Sequence, residues 1–242
     1  MTLTALTGGA VDIVANLITD PHLAMLHVAN EATTSALRDL GINGIDGTIV
    51  GAPTQGVALG SGFTGITLAA ASSQYITLSS STALQLGDAT AHGIVIVTTF
   101  NNTAAVKALL SMLSTDGANG WEAYLDASEN LCYAYNSGAG VDLVTSNSPL
   151  TTSSLQIIGI SKTGAGAAAI SMYVAGSVIA DTDTTNTASG DATYTSVSGR
   201  IGATRSGTTS PYDGGIGLVA LISGRAPSAY DHMRWADLAR LR

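Results

Sequence analysis

Charged residues are scarce in this sequence. They make up 11% of its 242 residues, only Lys107 and Lys162 are lysines, and the net charge is −8. Because nucleic-acid phosphates attract clusters of Lys and Arg, we expect no nucleic-acid partner. A surface with so few charges offers little opposition to association, which indicates a homo-oligomer or a larger assembly.

Cysteine and long hydrophobic runs are also lacking. Cys132 is the single cysteine, so no intrachain disulfide can form, and we expect it to act as a small buried hydrophobe. The mean hydropathy is +0.32, but no apolar run approaches the roughly 18 residues of a membrane span. We therefore expect no membrane partner. Residues 1–10 carry no basic residue, so we expect no secretory signal peptide.

Short strands separated by turn residues dominate the sequence. Asn43-Gly44 and Asp46-Gly47 each predict a tight turn, and the β-branched run Thr48–Val50 predicts the strand that follows. Trp121–Leu125 and Leu131–Tyr135 alternate strictly and predict a hairpin. Further strands are predicted at 23–28, 65–68, 75–78, 94–100, 155–160, 168–174, 177–179, 199–203 and 216–223. This density of strands without long helices predicts an all-β sandwich or jelly roll.

The two ends of the chain differ from the strand-rich middle. Val11, Val14 and Ile18 recur at helical spacing, as do Ile13 and Leu17, so residues 1–22 predict a short helix or arm. It either covers part of its own domain or docks on a neighbouring subunit. Pro227-Ser228 and Asp231 predict the start of a C-terminal helix. Its expected inward face comprises Tyr230, Met233, Leu238 and Leu241. Residues 104–113 fit a helix or a buried strand equally well.

Several short segments occur in a characteristic order: Leu23–His27, Asp39–Thr48, Gln74–Leu78, Gly120–Leu125, Met172–Gly176 and Tyr212–Leu218. In that order they resemble the laminin-G-like branch of the concanavalin A-like lectin and glucanase superfamily. The resemblance implies one laminin-G-like jelly-roll β-sandwich over residues 23–242, with a short N-terminal arm and a C-terminal helix. This fold carries many unrelated functions, so the resemblance alone implies none of them.

Paired carboxylates would be the catalytic residues of a glycosidase, a class of enzyme that occurs on this broad fold. Glu122, Asp126 and Glu129 form the one acidic cluster, and Glu129 falls in the predicted hairpin loop. A retaining glycosidase needs two carboxyl groups about 5 Å apart on one face. We therefore interpret the cluster as the exposed face and turn of a hairpin, and we expect no enzymatic activity and no catalytic residue.

Two kinds of binding residue remain as candidates. The stretch from Asp181 through Asp183 to Asp191 offers the hard oxygen ligands that calcium prefers, although a solvated polar loop explains it more simply. Asp39 or Asp213 could instead hold a turn through backbone contacts. Trp121, Tyr124 and Tyr212 could contact a glycan, but alternation favours core packing for several aromatics. We expect no cofactor other than such a calcium ion.

The missing features favour a structural function. A low-charge surface rich in small residues, no export signal and no catalytic constellation indicate a non-enzymatic structural protein of a bacteriophage-like virion. Sandwich domains of this kind resemble capsid decoration or cement proteins and accessory tail proteins. The expected partners are major capsid or tail proteins, and the expected location is the virion, assembled in the host cytoplasm. The alternative is a carbohydrate-binding module for host surface glycans.

Overall fold

A computed structural model describes residues 9–32, 35–114, 117–194, 197–204 and 210–240 of the chain. The elements are α1 (Gly9–Ile18), β1 (Leu23–Ala32), β2 (Ala36–Asp39), β3 (Gly47–Val50), β4 (Thr54–Gly60), β5 (Phe63–Leu68), β6 (Tyr75–Leu78), β7 (His92–Phe100), β8 (Lys107–Leu113), β9 (Asn119–Leu125), β10 (Leu131–Ser137), β11 (Val141–Ser146), β12 (Gln156–Lys162), β13 (Ile170–Val174), β14 (Ser177–Val178), β15 (Asp181–Asn186), β16 (Arg200–Ile201), β17 (Gly214–Ser223) and α2 (Ala229–Arg240). Three short 3₁₀ turns lie at Ala70–Ser72, Thr82–Leu84 and Ala167–Ala169.

The strands form two antiparallel layers packed face to face. We call the first the helix-covered layer, with the strand order β14–β13–β12–β7–β17–β1. We call the second the open layer, with the order β15–β11–β10–β9–β8–β16–β6–β3. Strand β2 pairs with β1 and β3 and joins the two layers. The β4–β5 hairpin pairs with the start of β17.

The space between the layers holds the larger hydrophobic core. Ile94, Ile158 and Val219 of the helix-covered layer belong to the same buried cluster as Trp121 and Tyr133 of the open layer. Successive residues of a strand point to opposite faces, so the alternation in the sequence predicts which side chains enter this core. The predicted sandwich and the hairpin of β9 and β10 are thereby confirmed.

A second core lies on the outer side of the helix-covered layer. Its helical part comes from Ile13, Val14 and Leu17 of α1 and from Trp235 and Ala236 of α2. These side chains pack on the outward residues of β1, β7 and β17. Helix α1, the described part of the predicted arm, therefore covers a face of its own sandwich. Neither helix is long and apolar enough to cross a membrane, and no other helix among the described residues is either.

Helix α2 begins where the sequence predicts, because Ser228 and Asp231 cap it reciprocally. The Asp231 backbone N–H donates to Ser228 Oγ at 3.2 Å, and the Ser228 N–H donates to the Asp231 carboxylate at 2.8 Å. The predicted inward face is wrong for Tyr230 and Met233, which are 65% and 46% exposed. The helix packs instead through His232, Trp235, Ala236 and Ala239. Leu241 lies outside the described residues.

Asp39 organises the turn before β3. The sequence interpretation in which this residue holds a turn through backbone contacts is therefore correct. Its carboxylate accepts hydrogen bonds from the backbone N–H groups of Leu26, Gly41 and Ile45, each at 2.8 Å. Gly44 has φ +61°, so the predicted left-handed turn is present there.

Gly47 does not form the second predicted turn. It opens β3, where a Cβ atom would lie 2.6 Å from Ile76 Cγ2. Close packing of the layer therefore explains this glycine.

Candidate functional site

The outward side of the open layer presents a row of polar side chains, which we call the open face. Strand register places Thr48, Thr77, Arg200, Ser111 and Glu122 directly beside one another across β3, β6, β16, β8 and β9. Their sequence neighbours on these strands, such as Ile76 and Ile201, point into the core. Ser111 of β8 is 2% exposed and its Oγ lies 3.2 Å from Thr204 Oγ1, so the exposed part of the open face lies on β3, β6 and β16 on one side of β8 and on β9 on the other.

Two tyrosines lie in the adjacent row of the open face. Tyr75 on β6 and Tyr124 on β9 are both half-buried, and their neighbours Ile76 and Ala123 are fully buried. Three inter-strand steps separate β6 from β9, which puts the two tyrosines about 14 Å apart. Burial and the neighbouring Cys132 raise the pKa of the Tyr124 phenol, so it stays protonated at neutral pH.

Arg200 lies on β16, one of the strands between those of the two tyrosines, and is the one cation in the described rows of the open face. It is half-buried, and its Nε atom is shielded from solvent without a hydrogen-bond partner. Burial lowers the pKa of its guanidinium, which remains charged, and the neighbouring Tyr75 acts in the opposite direction. Glu122 lies on the other side of β8, about 10 Å away along the sheet. The open face thus combines a cation, an anion, hydroxyl groups and two aromatic rings.

Two of the three predicted glycan contacts are buried in the core, which corrects the prediction for Trp121 and Tyr212. Both are fully buried. The Trp121 Nε1–H donates to the Leu84 carbonyl at 2.9 Å, and the Tyr212 hydroxyl donates to the Thr99 carbonyl at 2.9 Å. The alternation of β9 that turns Trp121 inward turns Tyr124 outward. Only Tyr124 of the three is therefore available to a ligand.

The predicted calcium residues do not form one site. Asp181 and Asp183 lie in strand β15, which pairs with β11, where the sequence predicts a loop. Asp191 is elsewhere, and its carboxylate accepts a hydrogen bond from the Asp88 backbone N–H at 2.8 Å. Burial and then the neighbouring Asp183 raise the pKa of Asp181. Among the residues that the structure describes, no three Asp, Glu, His or Cys side chains are grouped to hold a metal ion.

The acidic cluster of the hairpin is dispersed over three different environments. Glu129 is buried, and both of its carboxylate oxygens accept hydrogen bonds from Lys107 Nζ, at 2.8 and 2.9 Å. Asp126 shapes the turn by accepting the N–H groups of Ser128 and Asn130. Glu122 alone is on the open face. The structure therefore does not pair these carboxyl groups for glycoside hydrolysis.

A separate polar cluster is enclosed between the layers. Lys162 is fully buried and donates to the Asp88 carboxylate at 3.0 Å. Burial raises the pKa of Asp142, and the negative charge of Asp88 raises it further. The imidazole Nε2 of His92 lies 2.8 Å from the Tyr133 hydroxyl, and burial lowers the pKa of His92 to about 4. These groups are closed off from solvent, and the contact between His92 and Tyr133 joins the two layers.

Two grooves in the described part of the chain are uncharged. One, of about 280 Å³, is lined by Leu150, Gln156 and Ile179 among others. The other, of about 310 Å³, is lined by Leu59, Asn101 and other neutral residues. Neither offers a carboxylate, imidazole or thiol from the described residues. A third groove, of about 180 Å³ between α1 and α2, is charged, but its Arg225 is paired with Asp20 and Asp231.

The sequence alone already indicates which residues of β6 belong to the open face. Period-two alternation of 75–78 already places Tyr75 and Thr77 on the face opposite Ile76. A strand is predicted at 199–203, but nothing in its residues shows that Arg200 on β16 lies beside Thr77 and Ser111. Its place between Thr77 and Ser111 depends on long-range strand register.

No protein-family model matches the chain, and no curated protein matches its sequence. Solved structures do match. Domain 4 of an extracellular arabinanase of Geobacillus stearothermophilus, in complex with arabinotriose, has a TM-score of 0.60 at 15% identity, over 88% of this chain and 98% of that one. Trypanosoma rangeli sialidase has a TM-score of 0.61 at 11% identity, over 90% of this chain and 33% of that one.

A third solved structure, the binding domain of Paraclostridial Mosquitocidal Protein 1, has a TM-score of 0.57 at 13% identity. That match covers 89% of this chain and 52% of the other. At these identities the likeness concerns the fold alone. Together with the two antiparallel layers, it shows that the chain is an all-β sandwich with a C-terminal helix.

Proposed function

We propose that this chain is a non-enzymatic carbohydrate-binding module that holds a glycan on its open face. The observation that carries this proposal is the placement of the two half-buried tyrosines, Tyr75 and Tyr124, on the same side of the open layer, next to a row that contains Thr77, Arg200 and Glu122. Aromatic rings pack against the apolar faces of sugar rings, and hydroxyl and charged side chains hydrogen-bond their edges. The opposite layer is covered by α1 and α2, so it offers no equivalent surface.

The similarity to the arabinanase domain supports the same function. That domain was solved with arabinotriose, and the present chain matches nearly all of it. The enclosed Trp121 and Tyr212 weigh against the glycan contacts that the sequence predicted, whereas Tyr124 remains a candidate. The proposal therefore rests on a different set of aromatic residues.

Two measurements test this function: probing a glycan array with the protein, and titrating the protein with arabinotriose. We expect saturable binding to at least one glycan, weakened about 2- to 10-fold by Tyr75→Ala or Tyr124→Ala, because each removes one aromatic contact. Tyr230→Ala is the matched control, since Tyr230 is 65% exposed on α2. Absence of binding across the array, or equal weakening by the control, would contradict the proposal.

A second candidate function is a structural part of a bacteriophage-like virion, either a capsid decoration protein or an accessory tail protein. The charge-poor surface favours it: strand β4, TQGVALG, is half-exposed along its length and carries no charged residue. Such a strand suits packing against another protein, because nothing on it repels a neighbour. This function would place the protein in the virion, with capsid or tail proteins and further copies of itself as partners. A laminin-G-like subtype of the sandwich would suit either function.

Light scattering coupled to size-exclusion chromatography separates the two functions. The structural function predicts a defined oligomer, and charged substitutions on β4 such as Val57→Lys would dissociate it. The same substitution on the exposed face of α2, Met233→Lys, serves as the control. A monomer that binds glycan would leave the first function standing and remove the second.

A further inference from the structure

The enclosed polar cluster contains a carboxylate oxygen that has no hydrogen-bond partner. Asp142 is fully buried on β11, and its Oδ1 atom accepts the Ala188 backbone N–H at 3.1 Å. Its Oδ2 atom is shielded from solvent and lacks a partner. An ionised oxygen in that state is unfavourable, because burial removes its water and nothing replaces that water. A proton on Oδ2 would remove the charge and turn this atom into a hydrogen-bond donor.

Asp88 supplies the acceptor that such a proton needs. Its carboxyl group is the side-chain hydrogen-bonding neighbour of Asp142, and the residue is only 5% exposed. Two ionised carboxylates can only accept hydrogen bonds, so they cannot bond to each other and their charges repel. With one proton between them, the Asp142 Oδ2–H group donates to Asp88, and the pair titrates as a unit that carries a single negative charge.

The nearby ammonium group can balance only one of the two carboxylates. Lys162 is fully buried on β12, and its Nζ atom donates to the Asp88 carboxylate, to the Asp88 carbonyl and to the Gly164 carbonyl. These three acceptors engage all three N–H groups of the ammonium, so none is left for Asp142. One buried cation beside two buried carboxylates leaves an excess negative charge unless the pair holds a proton.

The other titratable groups around the pair stay uncharged near neutral pH or face solvent. Burial raises the pKa of the Tyr133 and Tyr194 phenols, and raises that of Tyr135 to about 12. Burial lowers the pKa of His92 to about 4. Asp191 is exposed, and its carboxylate is a solvated charge. Between the titrations of His92 and of the tyrosines, the pair is therefore the buried group of this cluster whose charge changes.

The pair lies under residues 187–194, a segment that we call the end strap. The end strap runs past the ends of β11, β10 and β9 and is hydrogen-bonded to each of them. Its apolar side chains pack against the larger core: Ala188, Ala192 and Tyr194. Asp142 accepts the Ala188 N–H, and the Asp88 N–H donates to the Asp191 carboxylate at 2.8 Å. Two anchors of the end strap thus depend on the carboxyl pair and its immediate backbone.

We propose that Asp88 and Asp142 share one proton and form a proton-dependent latch for the end strap. While the pair holds the proton, the end strap stays seated on the core. Loss of the proton as the pH rises leaves two like charges and an excess buried charge, so the end strap opens. Burial and the charge of Asp88 raise the pKa of Asp142, so its contribution to stability is present at acid pH and is lost as the pH rises through the titration of the folded protein. This device does not depend on the proposed glycan binding.

Amide hydrogen exchange of the end strap, measured as a function of pH, tests this inference. With the intrinsic exchange rates divided out, we expect protection of the Ala188 and Ala192 amides to fall by up to about 10-fold per pH unit, because opening is linked to the loss of one proton. Asp142→Asn resembles the protonated carboxyl group, so its protection should change by less than about 2-fold over the same range. Asp183→Asn, at an exposed position on β15, is the control and should behave like the unsubstituted protein.

Three outcomes would overturn the inference. Protection that is independent of pH in the unsubstituted protein contradicts a latch operated by a proton, as does an equal fall in Asp142→Asn. Protection that rises on adding calcium chloride and falls with a chelator would assign the missing positive charge to a bound cation. If circular dichroism shows that Asp142→Asn is unfolded, ¹³C carboxyl NMR of the unsubstituted protein provides the test. One aspartate signal should then titrate at a higher pH than those of the exposed aspartates, and a common acid titration of all of them refutes the shared proton.

Discussion

Trp121 and Tyr124 lie three residues apart on one strand, and the structure assigns them opposite roles. Trp121 is fully buried and donates its indole N–H to the Leu84 carbonyl at 2.9 Å, whereas Tyr124 is half-buried on the open face. Trp121→Phe removes this hydrogen bond and opens a small cavity, while the Leu84 carbonyl keeps the Leu86 N–H as a donor at 3.1 Å. The lost hydrogen bond contributes about 0.5–1.5 kcal/mol and the lost volume adds to it, so we expect a total of about 2–3 kcal/mol.

Tyr124→Phe is the matched substitution, because it removes one hydroxyl at a half-exposed position. We expect it to change the free energy of unfolding by no more than about 1 kcal/mol. Urea denaturation followed by circular dichroism measures both variants. With an m-value of about 1–3 kcal/mol/M, Trp121→Phe should lower the midpoint by about 1 M or more. Equal urea midpoints for the two variants, or a lower midpoint for Tyr124→Phe, would refute the assignment of Trp121 to the core and Tyr124 to the open face.

Three further predictions concern stability, each measured by chemical denaturation. Burial lowers the pKa of His232 from its ordinary value of 6.5 to about 4, so the unfolded chain binds more protons between these pH values and stability falls as the pH drops through that window. The loss attributable to His232 is about 3 kcal/mol, and His232→Gln should remove this part of the pH dependence. Glu129→Gln should destabilise by about 3–5 kcal/mol, since it leaves the Lys107 ammonium buried without its carboxylate. Gly120→Ala should destabilise by at least about 1–3 kcal/mol, because Gly120 has φ +115° and a Cβ atom would lie 1.8 Å from the Met112 carbonyl oxygen.

Each of these three stability predictions has a control variant that tests its physical cause. The pKa of His92 is also lowered by burial, so the stability of His232→Gln should still depend partly on pH in the acid range. If stability falls as steeply with pH in His232→Gln as in the unsubstituted protein, His232 is not a source of that dependence. Adding Lys107→Met to Glu129→Gln should recover stability, because no buried charge then remains. Gly164→Ala should be close to neutral, since nothing lies within 4 Å of its added Cβ atom.

The sandwich was predictable wherever the strands alternate strictly. The hairpin of β9 and β10 and the strand Tyr75–Leu78 follow the predicted pattern residue by residue. Residues 104–113 were ambiguous, because a run that is apolar on both faces has no period. The structure forms strand β8 at Lys107–Leu113, where all seven residues are buried. Lys107 itself is hidden because Glu129 neutralises it, and no local pattern reveals such a pair.

The candidate site was less predictable than the fold. Strand β15 contains DTDTTN, a composition typical of loops, and its pairing with β11 overrides that preference. The face of α2 was also wrong at Tyr230 and Met233, because the small residues Ala236 and Ala239 allow close packing on the sheet and on α1. Arg200 becomes a candidate only when the register of four strands is known. Residues that meet from distant strands have no characteristic spacing in the sequence, so no motif reveals the site that they form.

The location of the glycan on the open face is the central claim, and a two-dimensional amide NMR titration tests it most directly. With the best-bound glycan of the array, we predict saturable shifts confined to β6, β16, β8 and β9, centred between Tyr75 and Tyr124. Saturable shifts confined to α1, α2 and the layer they cover would contradict the claim, as would the absence of saturable shifts at millimolar glycan.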